Sequence, residues 1–97
     1  MRVRYRHRIA ERHLDALAGE MQARGWARLK LYVESPPVLF VYADGNEESA
    51  LSIAATNTGG QWVFQTSRLI EYPCEAVIPV ANILSDVLRD RMPDAFR

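Results

Sequence analysis

From Arg28 to Tyr72 the chain reads as a succession of short strand-like runs, and no break between them is long enough to hold a crossover helix. In the first run, Leu29, Leu31 and Val33 alternate with Arg28, Lys30, Tyr32 and Glu34, the period of a half-buried strand. Ser35, Pro36 and Pro37 end it, because proline gives no donor to a ladder. Residues 38–43 (VLFVYA) are apolar on both parities. After the polar turn DGNEES, residues 50–56 alternate Leu51, Ile53 and Ala55 against small or polar side chains. NTGG then turns the chain into QWVFQT, residues 61–66. RLIEY, residues 68–72, either lengthens that strand or adds a short fifth one before Pro73. Parallel neighbours need crossovers of about a dozen residues or more. None of these breaks reaches that length, so the order predicts an antiparallel meander.

Helical periodicity flanks the strands on both sides. Ala10, Leu14, Leu17, Ala18 and Met21 mark one face of a helix over residues 9–24, with Glu20 four residues before Arg24 and Gly25 at the C-terminal cap position. Gly19 lies inside this helix, where it costs about 1 kcal/mol against alanine. Close approach of the backbone to the sheet would account for it. At the other end, Val80, Ile83, Leu84, Val87 and Leu88 form a second apolar stripe. Pro79 suits a first turn, Arg89 and Arg91 suit the negative helix end, and Pro93 stops it. The expected fold is therefore α+β, a two-layer sandwich in the order α-β-β-β-β-α. Two helices cover one face of a four-stranded antiparallel meander, with a possible fifth short strand.

The 97 residues suit a single domain, 1–97, and a composition of 48% hydrophobic and 25% charged residues is that of a globular protein. There is no apolar run of membrane-spanning length and no secretory leader pattern, and the lone Cys74 rules out an intrachain disulfide. A soluble, cytoplasmic protein is expected. Arginine outnumbers lysine eleven to one, a bias that a GC-rich genome is enough to explain.

The net charge of zero is unevenly spread. Residues 1–30 hold eight basic groups against three carboxylates, and residues 31–97 hold four arginines against nine. A polyanion-binding chain keeps a net positive field, whereas here one half cancels the other. Complementary halves suit contact within a subunit or between two.

The second face of the sheet carries the main expectation about function. If Leu29, Leu31, Val33, Leu51 and Ile53 face the helices, large apolar groups still fall on the other side. The register is open, so strand two contributes Phe40 and Tyr42 or Leu39 and Val41, and strand four Trp62 with Phe64 or Val63. A solvated antiparallel face would carry polar residues there, and a large exposed apolar patch marks an interaction site. The candidate interface is Tyr32, Phe40, Tyr42, Trp62 and Phe64, and the expected partner is a second copy in a homodimer. Coverage by loops or the N-terminal arm, by another protein or by a ligand is the alternative.

Arg2, Arg4, Arg6 and Arg8 occupy every second position at the start. As an extended arm or edge strand, residues 1–8 would show the arginines on one side and Val3, Tyr5 and His7 on the other. As a helix, Arg4, Arg8 and Arg12 would stack and repel. The arm is the expected form. Nucleic-acid binding through these four arginines is a subordinate possibility, since it needs aromatic platforms and only Tyr5 lies nearby.

Nothing in the chain makes a case for an enzyme. His7 and His13 are the only histidines, and no tight ligand cluster surrounds them, so neither a metal nor a cofactor is expected. Cys74 is followed by Glu75, which opposes thiolate formation. Asp44, Glu47 and Glu48 do not fit a calcium loop. Phosphate-loop, nucleophile-elbow and dinucleotide patterns are missing. The expected role is a non-catalytic interaction or accessory module. The alternative is a small-ligand-binding domain or small enzyme with a pocket between sheet and helix.

Overall fold

A computed structural model of the chain describes residues 2–33, 36–43, 50–67 and 70–90, with residues 2–6 described in their backbone only. The turn holding Asp44, Gly45, Glu47 and Glu48 lies outside the described residues, as do Arg68, Arg91 and Pro93. Helix α1 (Arg2–Ala23) leads into strands β1 (Leu29–Tyr32), β2 (Val38–Tyr42), β3 (Ala50–Thr58), β4 (Gln61–Thr66) and β5 (Glu71–Pro73). A 3₁₀ turn at Cys74–Ala76 then runs into helix α2 (Val77–Asp90). The strands lie in sequence order, each antiparallel to the next. This is the expected α+β meander, with the fifth strand formed as a separate element. Among the described residues no helix is long and apolar enough to cross a membrane.

Residues 2–8 continue α1 and are not an extended arm or edge strand. Arginine is a good helix former, and exposed like-charge pairs four apart cost only about 0.2–0.5 kcal/mol each. That repulsion is too small to break a helix whose downstream turns are anchored by Ala10, Leu14, Leu17 and Met21, all buried.

The helix ends at Gly25, whose φ of 94° suits glycine. The Gly25 N–H donates to the Gln22 carbonyl at 3.0 Å and the Trp26 N–H to the Met21 carbonyl at 3.1 Å, the paired bonds of a Schellman cap. Gly19 does not approach the sheet. It is exposed, and a Cβ placed there would meet nothing within 4 Å.

The β3–β4 turn is set by Gly59 and Gly60, with φ of 60° and 89°, between the paired Thr58 and Gln61. Two positive φ values are what a two-residue type I′ hairpin demands. The Asn57 side-chain oxygen accepts from the Gly60 N–H at 3.1 Å.

Both helices pack on one sheet face. Leu14, Leu17 and Met21 of α1 and Val80, Ala81, Leu84 and Leu88 of α2 share a core with Leu39, Val41, Leu51, Ile53, Ala55 and Phe64. The buried stripe of α2 is rotated from the expected one. Ala81 and Ser85 are buried, Ile83 is 42% exposed and Val87 is only partly covered. Small side chains let α2 lie close to α1, and Ser85 Oγ accepts a buried hydrogen bond from the Trp26 indole at 2.9 Å. At the open end of the helix pair, Arg24 reaches Glu20 at 2.9 Å and Asn82 Oδ1 at 2.8 Å.

Candidate interaction surface and the Trp62 cleft

Strand register decides which side chains turn away from the helices. Tyr32, Val38, Ala54, Gln65 and Glu71 form one row across all five strands. Lys30, Phe40 and Ser52 form the next. A third row holds Arg28, Tyr42 and Ala50, where the Tyr42 N–H donates to the Arg28 carbonyl at 2.9 Å. The side chains of alternate residues leave a strand on the same side, so all three rows share the face opposite Leu39, Val41, Leu51 and Ile53.

On this face the three aromatic rings touch one another. Tyr32 meets Phe40 edge to face at 5.4 Å between centroids, and Phe40 stacks on Tyr42 at 6.3 Å. These are favoured geometries for ring pairs. Two cations lie over the outer rings. The Arg28 guanidinium is 5.4 Å from the Tyr42 centroid and the Lys30 ammonium 5.0 Å from that of Tyr32. Tyr32 is 38% exposed, and Phe40 and Tyr42 are half-buried. Beside this ridge, β3 presents only Ala50, Ser52, Ala54 and Thr56. Arg28 and Lys30 were not singled out as site residues by the sequence pattern. Their shared parity with Tyr32 was the available signal.

Trp62 and Phe64 do not belong to this surface. Phe64 pairs with Ala55 and is fully buried in the core under the helices. Trp62 pairs with Asn57 on the same side as Phe64 and packs against the core's edge. Both rings also meet His13 of α1, at 5.5 Å for Trp62 and 6.4 Å for Phe64. The alternation Trp-Val-Phe allowed either side. The aromatic parity lies inward because Ala55 leaves room for Phe64, and Val63 is left to the outer face between Thr56 and Pro73.

Trp62 borders two hollows between α1 and the end of the sheet. One, of about 400 Å³, is lined by His13, Gly60, Gln61, Trp62, Cys74 and Glu75. The other, of about 180 Å³, lies on the side of His7, Pro36 and Pro37. Burial holds the His13 pKa below its ordinary value. Burial pushes the Cys74 thiol up to about 12, which leaves it without thiolate near neutrality. Among the described residues no three of His, Cys, Asp and Glu are grouped to hold a metal ion. Of the basic series, Arg8 and the following Arg12 are exposed on α1, while Arg2, Arg4 and Arg6 are placed by their backbone alone.

The chemistry available is thus apolar contact and cation–ring pairing on the open sheet face, and a neutral imidazole beside an indole in the cleft. The chain matches no protein-family model, no curated protein and no solved structure.

Proposed function

We propose that the chain is a non-catalytic interaction module that self-associates as a homodimer through the sheet face turned away from its helices. The contiguous ladder of Tyr32, Phe40 and Tyr42 carries this proposal. Aromatic side chains anchor protein interfaces, and a face without a helix layer has no other cover among the described residues. The interface of this proposal is Tyr32, Phe40 and Tyr42, without Trp62 and Phe64. A reducing, cytoplasmic setting suits the free, buried thiol of Cys74. Light scattering at micromolar concentration tests it. The wild type is expected to be a dimer and Phe40→Glu a folded monomer, and a wild-type monomer at every concentration would refute the proposal.

A small-ligand role for the Trp62 cleft is the second proposal. It is favoured by a half-buried indole and a neutral imidazole lining the same hollow. A thermal shift on addition of one member of a metabolite panel, lost in Trp62→Leu, would support it over the first.

A further inference from the structure

Resting on the self-association proposed above, we infer how the two copies meet. The β2 ridge of each copy seats in the β3 trough of the other, about a two-fold axis that runs along the strands. Three features lead to this arrangement.

The first is relief. Phe40 and Tyr42 stand on β2, and the positions paired with them on β3 are Ser52 and Ala50, with Ala54 one row on. A ridge and a trough on adjacent strands are self-complementary. A two-fold axis between them places each ridge over the opposite trough at once, as an isologous interface requires. The rings are held by one another and by the cationic ends of Arg28 and Lys30, so little side-chain freedom is lost on binding.

The second is charge. Arg28 and Lys30 lie at the β1 edge and Glu71 at the β5 edge of the same face. An axis along the strands reverses the strand order, bringing each basic edge toward the acidic edge of the other copy. An axis across the strands would lay β1 over β1 and set the cations against themselves. Complementary potentials fix orientation in this way even where each exposed pair contributes little.

The third is area. With the axis between β2 and β3, strands β1 to β4 overlap and β5 overhangs, and four strands about 4.8 Å apart and about 17 Å long give roughly 330 Å² in projection. Standard interfaces bury about 800 Å² of accessible surface per partner, more than twice this projected area, so the dimer belongs to the small, weak class. A dimer of that size depends on the fit of its centre, and the centre here is the ridge and the trough.

Sedimentation equilibrium of four variants tests the arrangement, with circular dichroism as the check of folding. Ser52→Phe fills the trough and is expected to weaken dimerisation at least a hundredfold while the fold is kept. Lys30→Glu and Glu71→Lys are each expected to weaken it about tenfold, two symmetry-related contacts being affected. The double variant Lys30→Glu/Glu71→Lys is expected to return to within about twofold of the wild type. A wild-type dimer with no rescue in the double variant would overturn the arrangement and leave the self-association standing. A wild-type monomer overturns both, including one that instead binds a single-stranded oligonucleotide on the same rings. If Ser52→Phe fails to fold, the rescue experiment decides alone.

Discussion

The indole N–H of Trp26 donates to Ser85 Oγ at 2.9 Å inside the core, joining the chain just after α1 to the middle of α2 across 59 residues. Ser85 Oγ in turn lies 3.9 Å from Met21 Sδ. Ser85→Ala leaves the indole donor buried without a partner, which costs about 1–3 kcal/mol. Adding Trp26→Phe to Ser85→Ala removes the orphaned donor, so the pair should cost less than the sum of the two single changes. Urea denaturation of the four proteins measures the coupling, and strict additivity would show that the bond carries no energy.

Leu84 is 1% exposed between the helices and the sheet. An unpaired carboxylate there costs several kcal/mol, comparable to the whole stability of a small domain. Leu84→Asp should not fold, and its circular dichroism should show no cooperative thermal transition. Ile83→Asp, one position away and 42% exposed, should fold with a loss of under about 1 kcal/mol.

Gly19 lies in the interior of α1 with open space where a Cβ would go and no positive φ. Gly19→Ala should therefore stabilise the protein by about 0.4–1 kcal/mol. A shift of the urea midpoint to lower concentration would contradict that account.

His13 sits against Trp62 and Phe64, and burial lowers its pKa from 6.5. The unfolded chain takes up the proton first as pH falls, so it binds more protons than the native state below about pH 6.5. The contribution of neutral His13 is thus fully present above pH 6.5 and is lost as pH falls toward its folded value. Stability at pH 5.5 should be lower than at pH 7.5, and the difference should shrink in His13→Gln. An undiminished difference in that variant would assign the pH dependence elsewhere.

Cys74 is 5% exposed, with its thiol pushed up to about 12. At pH 8 its thiolate fraction is about a thousandfold below that of an ordinary thiol. Alkylation by iodoacetamide should be correspondingly slow in the native protein and rapid in 8 M urea. Equal rates in the two states would place the thiol in solvent.

The backbone plan was legible because each element is written in a local rule. Alternation marks β1 and β3, Gly59 and Gly60 mark the hairpin, and Gly25 marks the cap of α1. What was not legible depends on which side of an element meets a partner. VLFVY is apolar on both parities, and only packing under α1 selects Leu39 and Val41 over Phe40 and Tyr42. The same holds for Phe64 against Val63, and for Ala81 and Ser85 against Ile83 and Val87. In that last case size decides, since a tight helix pair selects the smaller side chain over the more apolar one. The first turns of α1 were not legible for a different reason. Charge repulsion along an exposed helix is weaker than the cooperativity of a helix already anchored downstream.

A sheet whose strands follow one another in sequence has consequences for how the chain acquires its shape. Each strand meets its neighbour as soon as both exist, so most pairings close short loops and cost little chain entropy. The contact between Trp26 and Ser85 is among the longest loops to close, because α2 comes last. During synthesis from the N-terminus, the meander and α1 exist for roughly 1–3 seconds before Val80, Leu84 and Leu88 have all arrived to finish the core, at about 5–20 residues per second. Over that interval half of the inner face lacks its cover. The newborn chain is then most exposed to aggregation through the part of the core that α2 closes, with Met21 and Trp26 among its residues, which the finished fold hides.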